Sequence, residues 1–132
     1  GNHDFVDCAV HKDARQVPGV LVIRPNAPLF FGNAEAVLLD VGQRARRGGT
    51  STIVLSLEET DDLDSSALEA ISEFRQAMIS QKRLLILARV HDRVRTILER
   101  GGLADLAATS TFSVDDAVRA APAATSVGRT KA

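Results

Sequence analysis

Thr52-Ile53-Val54-Leu55-Ser56-Leu57, followed by Glu58-Glu59-Thr60-Asp61-Asp62-Leu63-Asp64-Ser65-Ser66-Ala67-Leu68-Glu69, is the stretch that decides the fold class. Its first part is nearly continuous in apolar and β-branched residues, the pattern of a strand covered on both faces. An acidic, hydroxyl-rich connection follows, and then a helical period from Ser66 to about Gln81. Leu68, Ile71, Phe74 and Met78 fall on one face of that helix. Ser66 with Glu69 matches a capping box, in which the hydroxyl bonds the N3 amide and the carboxylate reaches back. A buried strand that feeds a helix through a short loop predicts a strand–helix–strand unit and a parallel sheet.

The same alternation extends in both directions. Downstream, Leu84-Leu85-Ile86-Leu87-Ala88 reads as another buried strand. His91 or Asp92 opens a helix that turns Val94, Ile97 and Leu98 inward and stops at Gly101-Gly102, and Ser113 with Asp115 and Asp116 opens a last short helix. Upstream, Asn33 is placed to cap a helix with Ala34, Val37, Leu38, Val41 and Ala45 on one stripe. Arg44, Arg46 and Arg47 gather at its end before Gly48-Gly49, where cations suit the helix C-terminus and can also meet a partner or anionic lipid. Before it, Leu29-Phe30-Phe31 reads as a short strand joined to Val20–Arg24 by the turn Pro25-Asn26-Ala27-Pro28, a hairpin entered through Pro18-Gly19. Residues 1–17 read as an N-terminal arm and 18–121 as the folded domain. Residues 122–132, drawn mainly from Ala, Thr, Ser, Gly and Pro, read as a disordered tail. The expected order is β-β-α-β-α-β-α-α: an α/β fold with a small mixed, mostly parallel sheet of about four strands packed by helices.

Composition narrows the function classes. The chain has 132 residues, 45% hydrophobic and 25% charged, enough for one core. A net charge of −1 supplies no field for nucleic acid, and without Trp or Tyr there is little to stack on bases. No apolar run reaches membrane-span length. The lone Cys8 cannot form an internal disulfide.

The chemistry-bearing candidates concentrate in the acidic loop, which leaves the C-terminal end of a central strand, the usual ligand position in open α/β sheets. Glu58, Glu59, Asp61, Asp62 and Asp64 lack the glycine and spacing of a calcium loop, and His3, His11 and His91 lack zinc-ligand spacing. No metal and no cofactor is expected. Phosphate-cradling glycine motifs and nucleophile–base pairs are also missing, so a non-catalytic protein is expected.

Two segments resemble a known family. Pro18-Gly19-Val20-Leu21-Val22-Ile23-Arg24-Pro25 and Ala27-Pro28-Leu29-Phe30-Phe31-Gly32-Asn33-Ala34-Glu35 are similar to the entry of STAS domains in SulP anion (sulfate) transporters. Asp64-Ser65-Ser66-Ala67-Leu68 resembles the D-S-S/T-hydrophobic loop of STAS domains at large. The resemblance implies the STAS, or anti-sigma-factor-antagonist-like, fold. It also implies a regulatory and interaction role on the cytoplasmic side of the inner membrane, with residues 1–17 leading to an upstream membrane domain. Ser66, with Ser65 beside it, becomes the candidate phosphoacceptor, and Asp61, Asp62, Asp64 and Leu68 the interaction loop. The partners implied are the transporter's own membrane domain, a cytoplasmic protein and, more weakly, a nucleotide. The acids at 61, 62 and 64 are expected to repel a phosphate at this loop. The alternative is a free-standing anti-sigma factor antagonist switched by phosphorylation of Ser66.

Overall fold

Alternation along three parallel strands sorts the core into two layers. The computed structural model describes residues 15–121. Its elements are β1 (Arg15–Val17), β2 (Val20–Ile23), α1 (Ala34–Arg47), β3 (Thr52–Ser56) and α2 (Ser65–Ser80). They continue with β4 (Leu84–Ala88), α3 (Asp92–Arg100), α4 (Ala104–Ala108) and α5 (Val114–Ala120). The sheet order is β1-β2-β3-β4, with β1 antiparallel to β2 and the other neighbours parallel. The expected mixed, mostly parallel α/β sheet is therefore present.

Register aligns Leu21 with Ile53 and Leu85, and Ile23 with Leu55 and Leu87. These rows face the larger core, which Val37, Leu38 and Val41 of α1 and Ile71, Phe74 and Met78 of α2 close together with Val94 and Leu98 of α3. Val22, Val54 and Ile86 point the other way, against Ala117 of α5. Burial on both faces is why these strands read as continuous apolar runs.

The four strands are not quite the expected four. Leu29-Phe30-Phe31 is not a strand, because side chains take its three amides: Leu29 N–H donates to Thr60 Oγ1 (2.9 Å), Phe30 N–H to Asn33 Oδ1 (2.8 Å) and Phe31 N–H to Asp64 Oδ2 (2.9 Å). Only Leu29 of the three enters the core, while Phe30 and Phe31 stay exposed. The hairpin lies one turn earlier, with Val17 opposite Val20 across Pro18-Gly19. Gly19 has φ 78°, the left-handed position that follows proline in a type II turn. Among the described residues the sheet thus begins at Arg15, inside the segment expected as an arm.

Asn33 does stand before α1, but its side chain staples the preceding turn and does not cap the helix. The helix α4 has no counterpart in the expected order. Residues 1–14 and 122–132, including Cys8, His3, His11, most of the expected arm and the expected disordered tail, lie outside the described residues.

Candidate functional site

The β3–α2 loop is shaped by its own acids. Asp64, not Ser66, is the N-cap of α2: its Oδ1 accepts from the Ala67 amide at 2.8 Å. The second carboxylate oxygen accepts from Phe31 N–H, so one side chain caps a helix and ties down the β2–α1 segment. The capping box is therefore corrected. An aspartate one residue before the serine pair reaches the N3 amide first, and this leaves Ser65 and Ser66 exposed in the first turn. Asp62 Oδ1 accepts from the adjacent Leu63 amide (2.8 Å), while Asp61 is exposed. Leu68 is half-buried against the core. A Cβ added at Gly101 would stand 2.5 Å from Leu68 Cδ2, so a side chain at the end of α3 would push Leu68 aside.

Ser66 opens into a hollow of about 290 Å³ that it shares with Phe31, Glu35, Glu69 and Glu73. Three carboxylate-bearing residues from two helices therefore line the hollow that the candidate phosphoacceptor shares. Of the acids expected to repel a phosphate, Asp61, Asp62 and Asp64, the last has its carboxylate bonded to two backbone amides. The glutamates were hidden in sequence because α1 and α2 are separated by a whole strand.

A second constellation was missed altogether. Arg24 follows β2, Glu58 stands two residues after β3, and Arg89 follows β4. Their side chains meet at the carboxyl edge of the sheet: Arg24 Nη1 and Arg89 Nε each lie 3.1 Å from Glu58 Oε1. His91 Nε2 donates to the Glu58 carbonyl oxygen at 2.7 Å. Arg89 holds φ 55°, an uncommon conformation for a side-chain-bearing residue, while its amide donates to Thr111 O. The readable signal was a charged residue just past the end of each parallel strand. All three side chains are about one-third or more exposed, so each ion pair contributes at most about 1 kcal/mol.

Among the described residues, no helix is long and apolar enough to cross a membrane, and no group of three or more His, Cys, Asp or Glu could hold a metal ion.

Comparison with known proteins agrees with this fold. The family model for the STAS domain matches residues 11–118. A probable sulfate transporter of Mycobacterium tuberculosis is 32% identical over 111 residues, covering 80% of this chain and 19% of that protein. Sulfate transporter 1.1 of Arabidopsis thaliana is 27% identical over 88 residues, 59% of this chain and 14% of the relative. The chain thus spans about a fifth or less of the length of the curated relatives it matches. Among solved structures, a putative anti-sigma factor antagonist of Thermotoga maritima superposes with TM-score 0.71 at 20% identity, covering 81% of this chain and 91% of that one. The murine anion transporter Solute Carrier 26 family member A9 superposes with TM-score 0.69 at 21% identity, covering 82% of this chain and 18% of the transporter. Both share the fold.

Proposed function

We propose that this chain, which belongs to the STAS domain family, is the regulatory and interaction domain of a sulfate-type anion transporter and performs no catalysis itself. The observation that carries the reading is the match to the mycobacterial sulfate transporter, in which the aligned segment makes up 19% of a much longer protein. The domain spans residues 15–121, joins a membrane domain on its N-terminal side and lies at the cytoplasmic face of the inner membrane. Its work is to present surfaces. The β3–α2 loop meets a partner through Asp61, Asp62 and the first turn of α2, and Ser66, with Ser65 beside it, is the phosphoacceptor that alters that contact. The partner is the transporter's own membrane domain or a cytoplasmic protein.

The test is labelled-sulfate uptake by the parent protein. Membrane-inserted protein lacking residues 15–121 should lose most uptake, and Ser66→Glu should change the rate while Ser66→Ala leaves it near normal. Undiminished uptake without the domain, or a parent reading frame without membrane spans, overturns the proposal.

A second reading, a free-standing anti-sigma factor antagonist, is favoured by one observation: the Thermotoga structure is covered over 91% of its length. That reading requires a reading frame that ends near the domain, and phosphorylation of Ser66 by a partner kinase.

A further inference from the structure

α1 and α2 lie side by side on the sheet and leave between their outer faces a groove of about 500 Å³. Ala36, Leu39, Gly42, Phe74, Ala77 and Met78 line it. Leu39 is 63% exposed, a large apolar side chain left in water beside other apolar surface. Gly42 sits inside a fourteen-residue helix, where alanine is the better helix former. A Cβ there would meet only Phe74 Cε1 at 3.6 Å and Met78 Cε at 3.8 Å, ordinary contact distances. Packing within the domain therefore does not demand glycine. What the glycine does is keep the floor of the groove low.

Charge is ordered along this groove. Glu35 and Glu73 line the part that continues into the Ser66 hollow, where Glu69 joins them. Arg46 and Gln81, at the C-terminal ends of the two helices, line the other end. From Glu35 to Arg46 the helix rises about 16 Å, three turns of a docked helix. The acidic end disfavours an anionic lipid surface and favours a cation-bearing protein segment.

We propose that this groove docks an amphipathic helix whose apolar face covers Leu39 and Phe74 and whose Lys or Arg residues meet Glu35, Glu69 and Glu73. Apolar residues spaced at one helix face fit such a trough, and the ordered charges set the direction of the bound helix. For the source of the helix alone, the inference rests on the transporter reading. Cytoplasmic loops and helix ends of membrane proteins are enriched in Lys and Arg, and supply segments of this chemistry.

The probe is a synthetic sixteen-residue helix with Leu and Ala on one face, Lys in its first turns and a single Trp; a twin carries Glu in place of Lys. This chain has no Trp or Tyr, so the peptide's fluorescence reports binding without background. The Lys peptide should bind and the Glu peptide should not. Leu39→Glu, and separately Glu35→Lys with Glu73→Lys, should weaken the Lys peptide by about tenfold or more. Gly42→Ala should weaken binding while leaving the melting temperature equal or higher, which a purely structural glycine would not do. Equal binding of the two peptides, no binding, or insensitivity to Leu39→Glu and Gly42→Ala overturns the proposal. So does Leu39-dependent binding to vesicles of anionic lipid in preference to the Lys peptide. The assay contains no membrane domain, so its failure is separate from a failure of the uptake experiment.

Discussion

Asp64 and Ser66 are two residues apart and have different work. Asp64 Oδ1 and Oδ2 hold the amides of Ala67 and Phe31, whereas Ser66 is exposed one position short of the capped amide. Asp64→Ala should therefore destabilise the domain by about 1 kcal/mol or slightly more, and Ser66→Ala should stay within about 0.5 kcal/mol of the unmodified chain in urea unfolding. Equal losses would return the cap to the serine. Phosphorylation of Ser66 sets a helix N-terminus, worth up to about 1 kcal/mol to an anion, against Glu35, Glu69 and Glu73. For a separation of about 8 Å in water, Coulomb's law gives about 1 kcal/mol of repulsion between a doubly charged phosphate and each carboxylate before screening. Repulsion wins at low ionic strength. The phosphorylated domain should melt below the unmodified one there, with the gap closing as salt is added; a higher melting temperature at low salt would refute the argument. Away from this loop, Asp105 is bonded at both oxygens by Arg75, at 3.2 and 2.6 Å. The hydrogen bond from Arg75 is the main reason the Asp105 carboxyl lies below its ordinary value. A depressed native value means that the pair's stabilisation is present above the unfolded pKa and is lost as pH falls through the native one. NMR titration should show Asp105 moving up to the ordinary carboxylate range in Arg75→Gln, with little change in global stability at so exposed a site.

At the scale of elements, the segment between β2 and α1 is the informative failure of periodicity. Leu29-Phe30-Phe31 has the composition of a strand, but Thr60, Asn33 and Asp64 take its amides and no ladder partner can form. Two of those three acceptors lie about thirty residues away, beyond any local pattern. Thr60 is 2% exposed and receives the Leu29 amide from a segment whose leucine is itself buried. Thr60→Val keeps the shape and removes the acceptor. It should cost about 1–3 kcal/mol, the range for leaving a buried donor unpaired, and should speed hydrogen exchange at Leu29. An unchanged exchange rate would show that the tether does not hold this segment. The short α4 is illegible in the sequence for a different reason. Five residues are too few to show a helical period, and what holds them is Leu106 and Ala107 packing into the core. By contrast the buried stripe of α1 is legible, because Ala34, Val37, Leu38, Val41 and Ala45 repeat over three turns and all are buried.

Across the whole molecule, stability rests on aliphatic rows that cross the sheet, Leu21–Ile53–Leu85 and Ile23–Leu55–Leu87, each side chain contributing about 1.5–3 kcal/mol by burial. Among the described residues no group of three or more His, Cys, Asp or Glu could hold a metal ion. The domain should unfold in one cooperative thermal transition whose midpoint is the same with and without a chelator; a midpoint lowered by chelation would reveal a structural ion. The sequence by itself determined the α/β class, the parallel β3–α2–β4 unit and the three longer helices, because two-sided burial and the 3.6-residue period are local patterns that the chain must carry. It also marked the Asp64-Ser65-Ser66 loop, since a distinctive motif needs no third dimension to be seen. Only the tertiary structure decided which residue caps α2, which segment pairs with β2, and that Glu35 joins Glu69 and Glu73 around Ser66. It alone brought Arg24, Glu58 and Arg89 together at the ends of three strands. Each of these depends on which long-range partner reaches an amide or a charge first. That competition is settled by distance in the folded chain, and spacing along the sequence does not encode it.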